Sequence, residues 1–149
     1  MSAPKEDCED LLNAVLPLAQ KYLADHGEFF PFGATLSTDG KQAITMAYDG
    51  TERPPSQPLI ELLQDEFRQG AKGGKLAATA LVYDVLVVPP GASAKTDAIA
   101  VELDHRENYS VIVFFPYVIK PDQVVLGAAF ANSGEHAIFG EHRSKLAVD

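Results

Sequence analysis

Apolar residues recur along the chain with two different periods, and the change of period separates predicted helices from predicted strands. Near the N-terminus, three- and four-residue spacing predicts a helix from about Pro4 to His26, ended by a left-handed Gly27. Pro17 lies inside this helix, so we expect a kink or a split there, because proline lacks the backbone donor. A second apolar stripe predicts a helix that follows Ser56 and includes Phe67.

Alternating apolar residues predict a hairpin between the two helices. Its strands are Phe32 to Ser37 and Gln42 to Tyr48, and its loop is the three residues 38–40 with Gly40 left-handed. This register places one set of apolar side chains on a common face: Phe32, Ala34, Leu36, Ile44, Met46 and Tyr48.

Three longer strand-like runs follow the second helix: Leu76 to Val88, Asp97 to His105, and Tyr109 to Tyr117. Asn108 tolerates the left-handed turn between the last two runs. In that register His105 faces Tyr109, Leu103 faces Val111 and Val101 faces Val113. The C-terminal part is expected to add a strand within 123–130 and a short one at 136–139, before a flexible tail at 140–149.

This order of elements predicts one α+β domain spanning residues 1–149. We expect a two-layer sandwich in which both helices cover one face of an antiparallel sheet of about five or six strands. The element order is αββαβββ with a short additional strand at the C-terminal end.

The sheet face left over by the helices is predicted to be unusually apolar. With Leu81, Tyr83 and Val101 assigned to the helix side, the other side carries Asp84 and Glu102 among apolar residues. Those apolar residues are Val82, Leu86, Ala98, Ala100, Ile112 and Phe114. A solvated face is normally polar, so we expect a second copy of the chain, or the C-terminal segment, to cover this one. A strand bulge that shifts the phase is the alternative.

The net charge, the cysteine content and the N-terminal sequence limit which partners, disulfides and location we expect. The formal net charge of −9 disfavours binding to nucleic acid or to anionic membranes, and leaves room for a basic protein partner. Cys8 is the single cysteine, so no internal disulfide can form, and its acidic neighbours favour an inert thiol. The N-terminus has no signal-peptide pattern, and the apolar runs are too short to span a bilayer, so a cytoplasmic location is expected.

Few residues in the sequence suggest a catalytic, ligand-binding or metal site. Asp84 and Glu102 are expected on the same sheet face, where two carboxylates can share a proton or bind a cation, or simply pair with basic groups. His105 follows Asp104 at a hairpin tip, but adjacent strand residues point to opposite faces. The histidines at 26, 105, 136 and 142 lack metal-site spacing, so we predict no metal and no cofactor. Serine-hydrolase and nucleotide-binding glycine motifs are absent.

Several short motifs carry a resemblance: the segment Gly27 to Ala34, the segment Thr96 to Ile99, His105, and Pro116 with Tyr117. Together they resemble an uncharacterised family of small bacterial proteins, which implies a self-contained bacterial domain and brings no activity with it. We therefore expect a non-enzymatic domain that acts through protein contacts, most simply as a homodimer. The alternative is a small-ligand-binding protein or enzyme that uses Asp84, Glu102 and His105.

Overall fold

The computed structural model describes residues 3–46 and 56–140, which form two helices and seven strands. The elements are α1 (Pro4–His26), β1 (Phe32–Ser37), β2 (Gln42–Met46), α2 (Ser56–Lys72), β3 (Leu76–Val87), β4 (Thr96–His105), β5 (Tyr109–Ile119), β6 (Val124–Leu126) and β7 (Phe130–Ser133). The sheet is antiparallel, in the order β2-β1-β3-β4-β5-β6, and β7 pairs with β5 as well. The predicted α+β class and the antiparallel sheet are confirmed.

Helix α1 is continuous over 23 residues, so of the kink or split expected at Pro17, the split does not occur. Pro17 lies on the exposed side of the helix, and the packing of the opposite side holds the two halves together. Gly27 ends the helix as predicted, with φ 75° and its N–H donating to the Leu23 carbonyl at 2.8 Å. The buried side of the helix consists of Asp7, Cys8, Leu11, Val15, Ala19 and Leu23.

The two predicted hairpin registers are confirmed. Gly40 has φ 92° and Asn108 has φ 64°, so both turns use the left-handed residue that the sequence indicated. Ala34 faces Ile44 in the first hairpin, and Leu103 faces Val111 in the second. Tyr48, which was expected to extend the first hairpin, lies outside the described residues.

The two helices lie on opposite faces of the sheet, which corrects the expectation that both cover the same face. Val82 packs in the α1 cluster with Ile99 and Val101, whereas Leu81 packs against Leu63 and Phe67 of α2. The phase of β3 was therefore assigned one residue out of step with β4. Both sides of β3 are apolar, so hydrophobicity alone does not distinguish them.

The C-terminal part also differs from the expectation. The single strand predicted within 123–130 is two short strands, and both line the outer edge of β5. Residues 136–139 form a turn rather than a strand. We call residues 134–140 the strap, because they fold back over the α2 side of β4 and β5. The predicted flexible tail lies, apart from Gly140, outside the described residues. Among the described helices, neither is long and apolar enough to cross a membrane.

Candidate functional site

The two carboxylates expected to share a face lie on opposite faces of the sheet. Asp84 faces Ile99 on the α1 side, and its Oδ1 accepts a hydrogen bond of 2.9 Å from the Tyr117 hydroxyl. Glu102 is on the α2 side, where it accepts a hydrogen bond of 2.5 Å from the Tyr83 hydroxyl. The sheet separates the two groups, so the structure does not bring them together as one acid pair or cation site.

Each of these carboxylates has a tyrosine partner and a raised pKa. Burial is the main cause of the raised pKa of Asp84, and the hydrogen bond from Tyr117 partly opposes it. Burial also raises the pKa of Glu102, the hydrogen bond from Tyr83 opposes it, and nearby Glu135 adds to the rise. The two arrangements are alike in chemistry, and each satisfies a half-buried carboxylate within the fold.

His105 belongs to a third, separate arrangement at the other end of the sheet. Its Nε2 lies 2.7 Å from Asp7 Oδ2, and its Nδ1 accepts a hydrogen bond of 3.0 Å from the Glu107 amide. A backbone amide can only donate, so Nδ1 carries no proton and Nε2–H donates to Asp7. Both ring nitrogens are thus occupied within a buried contact that ties β4 to the first turn of α1. This leaves His105 with no free nitrogen for general base chemistry.

The six predicted interface residues divide between the two faces. Ala98, Ala100, Ile112 and Phe114 lie on the α2 side, as strand pairing requires. Val82 is fully buried under α1 and is not available to a partner. Leu86 is 60% exposed, but it lies at the far end of β3 on the α1 side.

A partly exposed apolar surface lies on the α2 side, beyond α2 and the strap. We call it the shelf; it consists of Val85, Phe114, Pro116, Val118, Val125 and Phe130. The rings of Phe114 and Phe130 stack with centroids 5.0 Å apart, and Val118 is 54% exposed. Ala98 and Ala100 are fully buried beneath these larger side chains. None of the shelf residues is charged, in a chain whose net charge is −9.

Of the six shelf residues, only Phe114 was predicted from the sequence to lie in the interface. Val118 follows Tyr117, where the third predicted run ends, and Val125 and Phe130 lie in the short strands β6 and β7. Three-residue and four-residue strands have too few positions for a period of two to stand out. The aromatic Phe130 was the one available signal, and it does not specify which strand it pairs with.

Beneath the strap lies a small polar cavity that the sequence did not reveal. Asp104 Oδ2 accepts a hydrogen bond of 2.8 Å from the Ile138 amide, while Oδ1 is buried and has no hydrogen-bond partner among the described residues. Burial raises the pKa of Asp104, and the amides of Ile138 and Phe139 oppose that rise. The cavity measures about 20 Å³, which admits a species the size of one water molecule.

His136 adds a second unusual feature to the strap. Its φ is 53°, a left-handed conformation uncommon outside glycine, and its buried Nδ1 has no partner among the described residues. Its backbone amide donates to Ser110 Oγ at 3.2 Å, and Arg68 holds the strap by donating to the Ala137 carbonyl at 2.8 Å. Within the described ranges, no three His, Cys, Asp or Glu side chains are placed to hold a metal ion. The cluster therefore anchors the strap.

Cys8 is buried against the α1 side of the sheet, where burial and nearby carboxylates raise the pKa of its thiol to about 12. The thiol stays protonated at neutral pH, which agrees with the expectation of an inert cysteine.

Comparison with known proteins identifies no relative: no family model, no curated protein and no solved structure matches the chain.

Proposed function

We propose that the protein is a contact domain that pairs with a second copy of itself through the shelf on the α2 side of its sheet. The observation that carries the proposal is the charge-free apolar surface around the stacked Phe114 and Phe130 rings. Neither α2 nor the strap covers it, although both cover other parts of the same face. Exposed apolar patches without charge are candidates for interaction sites.

Self-association suits the charge of this chain. At net charge −9, most pairs of surfaces on two copies would oppose carboxylates to one another. The shelf has no carboxylate, so two shelves can meet without that repulsion. A twofold contact places the same patch on both sides, and it is the commonest arrangement of soluble oligomers. Each square ångström of apolar surface removed from water contributes roughly 25 cal/mol.

The alternative, a small-ligand site or enzyme, receives less support from the geometry. Asp84, Glu102 and His105 belong to three separate arrangements, and each is occupied by a partner within the fold. The cavity at Asp104 admits only a water-sized species. We therefore propose a non-enzymatic role, in a bacterial cytoplasm as the sequence analysis expects, with a basic protein as a further partner.

Sedimentation velocity on two variants tests the proposal. Val118→Glu places a carboxylate on each side of the proposed contact, and Leu86→Glu makes the same change on the opposite face at a similarly exposed position. We expect wild type and Leu86→Glu to share one mass, and Val118→Glu to lose the shelf contact and sediment as a smaller species. Each chain has a mass of 16.0 kDa, so the difference is easily resolved. Equal masses for all three proteins at micromolar concentration would contradict the proposal.

A further inference from the structure

The two edges of the sheet differ in whether another strand pairs with them. The outer edge of β5 is lined by β7 along residues 111–114 and by β6 along 117–119. At the opposite edge, β2 pairs only with β1 within the described ranges. A bare strand edge presents backbone donors and acceptors in a row, and these are a template for another strand.

The hairpin geometry identifies which backbone groups of β2 face outward. The Ser37 amide donates to the Lys41 carbonyl at 2.8 Å, so these two residues form a hydrogen-bonded pair. Hydrogen-bonded and non-hydrogen-bonded pairs alternate along an antiparallel ladder. Ile44, opposite Ala34, is therefore in a non-hydrogen-bonded pair, and its N–H and C=O point away from β1. The same holds for Gln42 and Met46.

A groove of about 450 Å³ runs beside this edge on the α1 side of the sheet. Its walls are Ala14, Pro17 and Leu18 of α1 and Ile44 of β2. The helix layer ends before it covers β2, so Ile44 is 46% and Met46 is 59% exposed. A strand added to β2 would place alternate side chains in this groove and extend the sheet at the same time.

We infer that a second copy docks here, by antiparallel pairing of the two β2 strands around a twofold axis at Ile44. In that register the two Ile44 residues face each other, and Gln42 of each chain faces Met46 of the other. These become hydrogen-bonded pairs, each of which exchanges two backbone hydrogen bonds.

Charge favours a second copy as the occupant. Residues 42–46 carry no charged side chain, and among the described residues that line the groove only Lys21 is charged. Over residues 42–46 the twofold pairing thus opposes no carboxylates, although the whole chain carries 21 acidic residues. The edge contact is separate from the shelf, and two different isologous contacts on one chain assemble more than two copies.

Disulfide trapping tests the register directly. Facing residues of a hydrogen-bonded pair have Cα atoms about 5.5 Å apart, within the range of a disulfide, so Ile44→Cys is expected to cross-link under mild oxidation. Ala43→Cys is the matched control, because in this register the two Ala43 Cα atoms are roughly 8 Å apart, too far to bridge. Cys8 does not compete, since it is buried.

We expect covalent dimers from Ile44→Cys, few or none from Ala43→Cys, and the same result when Val118→Glu is added to each. That last arm separates the two contacts: the edge can be trapped whether or not the shelf associates. Failure of Ile44→Cys to cross-link above the Ala43→Cys level overturns the inference.

Two further variants test the same edge contact without cross-linking. Ile44→Pro removes the outward N–H and is tolerated at an edge strand, whereas Ile44→Val retains the donor. We expect Ile44→Pro, but not Ile44→Val, to lower the mass measured by native mass spectrometry, with circular dichroism confirming that both are folded. An unchanged mass for folded Ile44→Pro contradicts the edge contact.

Discussion

The two faces of this sheet are both apolar, yet they are covered in different ways. On the α1 side, one helix of 23 residues packs over β1, β3 and β4 and closes a continuous core. On the α2 side, α2 and the strap cover part of the face, and the described residues leave the shelf partly exposed. The comparison shows that strand hydrophobicity does not specify what covers a face, because that depends on where the helices and the C-terminal segment are placed.

The largest expected effects come from the same substitution made on each side. Leu11→Ala and Leu63→Ala both truncate a fully buried leucine, and each is expected to lower the free energy of unfolding by about 2–5 kcal/mol. We expect the greater loss at Leu11, because the α1 cluster is larger and less able to collapse around a cavity. Urea denaturation measures both values. A greater loss at Leu63 would show that α2, and not α1, is the main cover of the sheet.

The buried contact between α1 and β4 should give the next largest effect. Asp7→Ala leaves the Nε2–H of His105 buried without its acceptor, so we expect a loss of about 1–3 kcal/mol in the free energy of unfolding. Glu6→Ala is a matched control on an exposed neighbour, and its expected change is within about 0.5 kcal/mol. Similar losses of unfolding free energy for the two variants would contradict the stabilising role of the contact between Asp7 and His105.

Displacing the strap should have an effect of similar size that is confined to the α2 side. A Cβ at Gly134 would overlap Ser110 Oγ and lie 2.8 Å from the Val111 amide, so Gly134→Ala must move the strap. We expect a loss of about 1–3 kcal/mol and faster amide exchange at Ile138, with exchange under α1 unchanged. Gly127→Ala meets only ordinary contacts at 3.6 Å and serves as the control. Unchanged exchange at Ile138 in Gly134→Ala would contradict the anchoring.

The smallest expected effect is a pH dependence of folding stability that is caused by Glu102 on the α2 side. The pKa of Glu102 is raised in the folded protein, so the folded state binds a proton more tightly than the unfolded state. Glu102 therefore makes the protein less stable as pH rises from the pKa of Glu102 in the unfolded state through its pKa in the folded state. Glu102→Gln retains an acceptor for Tyr83 and is expected to stabilise the protein at pH 7 by up to about 1 kcal/mol. Unfolding measured at pH 4 and pH 7 tests the sign: a variant that is less stable than wild type at pH 7 contradicts it.

Local structure was predictable from particular residues. Gly27, Gly40 and Asn108 adopt the left-handed conformations expected of them, and the two hairpin registers follow from the turns. These signals depend on a few neighbouring residues, which is why the sequence alone carries them.

Long-range placement was not predictable in the same way. Nothing within β3 distinguishes the side of Val82 from the side of Leu81, so the positions of Asp84 and Glu102 relative to each other were predicted wrongly. The strap could not be foreseen, because its contacts with Asp104 and Ser110 join residues more than 20 positions apart. Of the predicted interface residues, Phe114 belongs to the shelf, and Ala98, Ala100 and Ile112 lie on the same face of the sheet.

The most direct test of the central claim is the solvent exposure of the shelf in solution. Methyl NMR with a soluble paramagnetic agent reports which methyl groups water reaches, and Val118 and Val125 can be compared with Leu62 and Leu86, which are similarly exposed on a single chain. We predict that the two valines are protected at high protein concentration and become accessible on dilution, while the two leucines stay accessible throughout. Valine methyls as accessible as those of the leucines at every concentration would contradict the account.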